Sequence, residues 1–309
     1  MSVITLREHA ASQGLSLEVV AGEALQVVIL DALFASPGSE LMGFQGGTCL
    51  HLVHGGYRHS EDLDLAGADL DAAAARRIVE RARPEVEKLS IQLLGPGEPA
   101  WRDAGPRGRV ATHWFHFTPE ATGRRIRVKI ELARFPTYRA AVLPVRSELD
   151  LLRRQPLVRA LEPPELLAEK VTAVLGRRYL KGRDLFDLWY LETVRRAPLD
   201  AELLGRKLED YGVELSGERL AERIAAVAAA DIGAEMERFL PRRQREQLGA
   251  EGYAAIRRSA QQALQRVAGV VGLPPGGREP EASRYPGTVQ ELMALPISNG
   301  DAPGPPVAS

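Results

Sequence analysis

The sequence predicts an α/β protein of the α+β kind. A mixed domain with a small sheet is expected over residues 1–145, a helical domain over 146–271, and an extended or disordered tail over 272–309. Three observations predict this. Short segments with strand-like alternation, in which residues two apart share a face, cluster before residue 133. From Glu165 to about Val270 almost only helical spacing recurs. Beyond Gly272 proline and glycine rise and apolar residues become too sparse to bury a core.

Residues 1–36 read as helix, because Leu17, Val20, Ala24, Val27, Val28 and Leu30 recur near helical spacing until Ser36-Pro37-Gly38-Ser39 breaks it. A strand at 41–44 leads into Gly46-Gly47-Thr48 and a short helix through Leu50, Leu52 and Val53, which Gly55-Gly56 ends as a C-cap would. Alternation marks 61–65 as a strand, and 71–89 is strongly helical. Residues 90–94 are a candidate strand, and the Gly- and Pro-rich stretch 95–108 reads as loop. Strands follow at 110–117 and 125–132, joined by a turn at 119–123. Glu162-Pro163-Pro164 opens the helical half, and 288–294 is the one candidate helix of the tail.

The 309 residues are 45% hydrophobic and 26% charged, as in an ordinary globular protein with a sizeable core. A net charge of -1 announces no nucleic-acid partner, although a balanced total can hide a basic patch. Basic clusters do recur, at Arg124-Arg125, Arg153-Arg154, Arg177-Arg178, Arg195-Arg196 and Arg242-Arg243. Each is a solvated face unless several line one cleft as a track for an RNA backbone. The single cysteine, Cys49, excludes an intramolecular disulfide. No apolar run reaches the ~18 residues of a membrane span, and the first residues lack a signal-peptide layout. A soluble, cytoplasmic protein with no membrane partner is expected.

The chemistry starts at Asp62-Leu63-Asp64-Leu65. On a strand both carboxylates point to one side, with Leu63 and Leu65 toward the core. Two like charges so close repel, and a shared hard cation such as Mg²⁺ (or Mn²⁺) removes the conflict and leaves room for phosphate. An isolated pair of this kind is also common decoration on a half-exposed strand. Upstream, Gly46-Gly47-Thr48 sits between strand and helix, where a glycine pair lets the backbone approach a phosphate and Thr48 adds a hydroxyl; a plain capped turn reads equally well. In Arg127-Val128-Lys129-Ile130-Glu131-Leu132, Glu131 shares the polar face with Lys129, as a third carboxylate or as half of a solvated ion pair. Arg58 suits phosphate, and Ser60 shares the face of the two aspartates.

In the helical half, Lys170 borders the apolar stripe of its helix, either snorkelling outward or reaching phosphates in a cleft. Asp184 and Asp187 lie three apart on a face that also carries Leu188 and Leu191, and helix capping is the alternative for the first of them. His113 and His116, three apart on a strand, point to opposite faces and are no ligand pair.

Four blocks in order carry a family resemblance: Gly46-Gly47-Thr48 with Arg58-His59-Ser60-Glu61-Asp62-Leu63-Asp64, then Lys129-Ile130-Glu131, then Glu169-Lys170, then Arg183-Asp184-Leu185-Phe186-Asp187-Leu188. The chain resembles the AbiEii/AbiGii-type nucleotidyltransferase toxins of bacterial abortive-infection and toxin–antitoxin systems. The resemblance implies a DNA-polymerase-β-like nucleotidyltransferase domain followed by an all-α domain. It also implies transfer of NMP from an NTP to the 3′ end of tRNA, and a cognate antitoxin as partner. It implies Asp62 and Asp64 as metal ligands, Gly46 and Gly47 on the triphosphate and Lys170 also on phosphate; from their own chemistry Thr48, Arg58 and Ser60 are expected around the nucleotide as well. Lys170, Asp184 and Asp187 would close the cleft from the helical side, and Glu131 would assist catalysis. Two departures stand out: Gln45 replaces the lysine often found before the glycine pair, and the last block has Lys181 and Arg183 where Arg and Lys are usual. The competing readings are nucleotidylation of a small molecule or a protein hydroxyl, and a catalytically silent nucleotide- or antitoxin-binding module.

Overall fold

The structure, a computed structural model, describes residues 3–149, 151–152 and 154–270; the expected tail and its helix at 288–294 lie outside the described residues. The chain opens with α1 (Val3–Gln13) and α2 (Leu17–Ala35) rather than one helix. Gly14, in the left-handed region at φ 66°, ends α1, and the Ser16 side chain caps α2 by accepting from the Val19 N–H. Nearly all of α2 is buried, as expected of a helix that is apolar on every side. It carries Glu23, Gln26 and Asp31 into the interior, so each of these needs a partner.

Next come β1 (Gly43–Gln45), α3 (Gly46–Leu52), β2 (Asp62–Ala66) and α4 (Ala72–Leu94). Helix α4 runs through the expected strand at 90–94. The Ser90 hydroxyl donates to the Val86 carbonyl one turn back, and Val86, Ser90, Leu93 and Leu94 form one buried face. The expected loop at 95–108 is instead β3 (Gly97–Arg107), paired with β4 (Val110–Pro119). β3 is an edge strand, where Pro99 and Pro106 leave no ladder bond missing, and its register shifts between Asp103 and Pro106. β5 (Ile126–Ala133), β6 (Ala140–Pro144) and β7 (Leu157–Leu161) complete one seven-stranded sheet in the order β3-β4-β5-β2-β1-β7-β6.

The sheet is mixed: β2 runs parallel to β5 and β1 parallel to β7, and the remaining neighbours are antiparallel. It therefore continues past residue 145, the end expected for the first domain. Helices α2 and α4 pack against each other and against the sheet. Leu63, Leu65, Val128, Ile130 and Leu132 are fully buried, and their strand neighbours Asp62, Asp64, Lys129 and Glu131 take the opposite face.

After β7 the described elements are helical: α5 (Pro163–Gly176), α6 (Gly182–Trp189), α7 (Ala201–Asp210), α8 (Gly217–Ala229), α9 (Ile232–Met236), α10 (Arg242–Gly249) and α11 (Ala254–Val270). A π-helical turn, Tyr190–Val194, extends α6. Tyr190 donates its hydroxyl to the His54 carbonyl at 2.7 Å, tying this helix to the segment between α3 and β2. No helix of the described residues is long and apolar enough to cross a membrane.

Candidate active site

The parallel pairing of β2 with β5 sets Asp62 opposite Lys129 and Asp64 opposite Glu131. The antiparallel pairing of β2 with β1 sets Asp64 beside Gln45, the residue before the glycine pair. Three carboxylates and one lysine thus share a patch that is only partly covered. Lys129 Nζ lies 2.7 Å from Glu131 Oε1, so Glu131 carries its own counter-ion. The aspartates have no cation of that kind. Burial, with Glu131 and Asp62 as like charges, pushes the Asp64 carboxyl up to about 7; burial and Glu131 also raise Asp62, against the pull of Lys129.

The diglycine turn fits against this patch. Gly46 has φ 77°, and a Cβ there would fall on the Asp64 carboxylate. A Cβ on Gly47 would fall on the Arg58 guanidinium. The glycines therefore admit two charged side chains from the protein itself. Thr48 is fully buried, and its hydroxyl donates to the Asp62 carbonyl, fixing the start of β2 to the start of α3. Cys49 is buried and free, and burial pushes its thiol well up, with Asp64 and Glu169 adding to the shift.

Behind the turn lies a second set of charges. Arg58 Nε and Nη2 donate to the two oxygens of Asp187 at 2.7 and 2.6 Å, a bidentate pair. Lys170 Nζ lies 2.7 Å from Asp187 and 3.0 Å from Asp184, and Arg177 also pairs with Asp184. Both aspartates are 1% exposed. Burial alone would raise their carboxyls, but Arg177 and Lys170 hold Asp184 well below the usual carboxylate range, and Arg58 and Lys170 lower Asp187. Lys170 acts in turn on Asp64, and Arg183 acts on Asp62, so the two sets adjoin. Lys181, at the N-terminus of α6, is pushed down to about 8 by burial and by Arg177 and Arg183.

The structure thus gathers Gly46, Gly47, Thr48, Arg58, Asp62, Asp64, Glu131, Lys170, Asp184 and Asp187 around one turn. Within that group Arg58, Lys170, Asp184 and Asp187 satisfy one another. The backbone carbonyl of Ser60 accepts from the Gln26 side chain at 2.8 Å, holding the segment that leads into β2. His113 is buried and His116 half-buried on alternating positions of β4, as their spacing requires.

One cluster escaped the sequence reading. Lys207 of α7 is fully buried and reaches Glu165 at 2.8 Å, Glu169 at 2.7 Å and the Pro136 carbonyl at 2.9 Å. Glu165 also accepts from the Tyr138 and Arg139 backbone N–H groups. The Gln45 amide, oriented to donate, lies 3.2 Å from both oxygens of Glu169. A lysine flanked by Leu203, Leu204 and Leu208 on the apolar side of an amphipathic helix was the available signal.

Comparison with known proteins places the fold and the family. By sequence no curated protein matches. The fold is similar to that of MenT4, a nucleotidyltransferase toxin from Mycobacterium tuberculosis H37Rv, with a TM-score of 0.54 and 18% identity over 88% of this chain and 99% of that one. It is also similar to JHP933 from Helicobacter pylori, with a TM-score of 0.50 and 16% identity over 82% of this chain and 95% of that one. The family model for the nucleotidyl transferase AbiEii toxin of type IV toxin–antitoxin systems matches residues 28–269, which include every site residue named above. The chain belongs to the AbiEii family of nucleotidyltransferase toxins.

Proposed function

We propose that this nucleotidyltransferase moves NMP from an NTP onto the 3′ end of a tRNA, using a divalent cation held by Asp62 and Asp64. The observation that carries the reading is the register of β2 on β5, which sets Asp62, Asp64 and Glu131 on one partly open face beside the diglycine turn. The donor set fits Mg²⁺ (or Mn²⁺): oxygen ligands only, with a surplus of negative charge that Lys129 alone does not cancel. When bound, the cation would lower the pKa of the attacking hydroxyl and offset the charge developing on the α-phosphate.

The chain's own residues do the rest. Glu131 accepts the proton of the acceptor 3′-hydroxyl, whose oxygen forms a bond to the α-phosphorus as the bond to the β-phosphate oxygen breaks and pyrophosphate leaves. Lys181 and Arg183, at the start of α6, supply positive charge for the triphosphate or the RNA backbone. Arg58 and Lys170 act through Asp187 as positioning residues that keep the Gly46–Gly47 turn against β2. The helices after β7 form the second wall of the cleft, an all-α second domain in the sense of a polymerase-β-like enzyme, and a cognate antitoxin would block this cleft or the bound RNA.

Incubation of the protein with total tRNA and each α-labelled NTP, beside an Asp62→Ala control, tests the reading. Label on tRNA from one or more nucleotides, absent in the control, is expected. Label on no RNA in any of the four reactions refutes tRNA as the acceptor.

A further inference from the structure

A second group of metal-ligating side chains lies outside the carboxylate patch. Glu23 of α2, His51 of α3 and His59, three residues before Asp62, converge so that one ligand atom of each falls within 4.8 Å of the others. His51 Nε2 lies 3.0 Å and His59 Nδ1 2.7 Å from the same oxygen, Glu23 Oε2. The other Glu23 oxygen accepts from the Ser147 hydroxyl at 2.8 Å, which orients the carboxylate.

We infer that Glu23, His51 and His59 form a binding site for one divalent transition-metal ion of the zinc class. Two details of the geometry suit a metal. His51 Nδ1 sits 2.6 Å from the Gly56 carbonyl, which only a protonated Nδ1 can satisfy. In the neutral ring Nε2 is then the lone-pair nitrogen and can bind a metal beside the carboxylate; without a metal the ring meets both acceptors as the imidazolium, Nε2 donating to Glu23. A backbone carbonyl on Nδ1 in this way fixes the tautomer that leaves Nε2 to a metal. His59 is 7% exposed, and although its Nδ1 lies 2.7 Å from Glu23, it makes no hydrogen bond there. Two ligands of one ion approach each other in this way, close together but not aimed at one another. Zinc bonds of about 2.0–2.1 Å at tetrahedral angles put neighbouring ligand atoms about 3.3 Å apart, so binding the ion draws His51 and His59 back from Glu23 by a few tenths of an ångström.

Two imidazoles and one carboxylate suit Zn²⁺ rather than Mg²⁺, which prefers oxygen ligands. The His51 side chain keeps 18% of its surface exposed, so solvent reaches the cluster and can supply a fourth ligand. The ion would join α2 and α3 to the segment carrying Arg58 and Ser60. That segment also bonds to the helical half, through the His59 N–H to the Phe239 carbonyl at 2.9 Å. The metal would therefore brace the turn that delivers Arg58 to Asp187.

The test uses the full chain, loaded with Zn²⁺, freed of excess and assayed for metal by elemental analysis. About one Zn²⁺ per chain is expected. It should raise the melting temperature by several degrees, and Co²⁺ in its place should give the intense visible absorption of a four-coordinate site. Glu23→Gln and His59→Ala should lose the metal and the thermal shift, whereas Asp62→Ala should keep both. No retained metal in the wild-type chain means the cluster is held by protons alone and overturns the assignment. So does equal retention in Glu23→Gln. Should the histidine variants fail to fold, a weak six-coordinate Co²⁺ spectrum of the wild-type chain overturns it as well.

Discussion

Asp62 and Asp64 on the sheet differ from Asp184 and Asp187 on α6 in how their charge is met. Both pairs lie around the same diglycine turn. The α6 pair is fully buried, and three cations, Arg58, Lys170 and Arg177, saturate it. The sheet pair is partly open, its carboxyls are raised, and its neighbourhood is short of positive charge. A half-buried carboxylate without a nearby cation takes up a proton or draws a cation from outside the chain. The contrast separates a pair whose charge the chain itself neutralises from a pair whose charge it leaves largely unmet.

Substitutions sharpen that contrast. The largest effect is expected for Asp62→Ala, which removes a proposed cation ligand: nucleotide transfer should fall by about 10³-fold or more, several kcal/mol of transition-state stabilisation, with little change in melting temperature. Comparable activity in a transfer assay would place the chemistry elsewhere. Asp187→Ala should act the opposite way on stability. It leaves Arg58 and Lys170 buried without their shared partner and should cost about 3–5 kcal/mol in urea unfolding. A loss under about 1 kcal/mol would mean that water reaches the network and screens it.

Asp64→Asn should stabilise the protein while abolishing transfer. The Asp64 carboxyl has a folded value of about 7, above an unfolded value of about 3.9, so the folded state holds the extra proton and stability falls as pH rises from about 4 to 7. The amide removes that fall. At pH 8 and without divalent cation the variant should be more stable by about 1–3 kcal/mol, and at pH 4 the difference should vanish. A variant less stable than wild type at pH 8 would show that the carboxylate is already compensated. The smallest effect is expected for Thr48→Val, which loses the bond to the Asp62 carbonyl and should cost about 1–2 kcal/mol of stability with a lesser decrease in transfer.

Much of the site could be read locally. Alternation put Asp62 and Asp64 on one side of β2 and Glu131 on the polar side of β5, and the helical spacing of Asp184 and Asp187 put both on one face of α6. The strands and helices that composition misassigned had physical reasons. Prolines disqualified β3 until its edge position was known. Ser90 and the residues after it fit either period over so short a stretch. The roles of Arg58 and Lys170 were legible as positive charge near phosphate chemistry. Their commitment to Asp187 was not, because the partners lie 129 and 17 positions away along the chain.

By itself the sequence determined which residue types face which way within each element, and through four ordered blocks it determined the family. Side-chain direction is a local property of the strand and helix periods, so it needs no knowledge of the rest of the chain. Only the tertiary structure decided that β2 lies between β5 and β1, that Asp64 meets Glu131, and that Glu23, His51 and His59 share one oxygen. Those meetings depend on which distant segments pair and in what register. Burial of the whole sheet sets that register, and no stretch of ten residues encodes it.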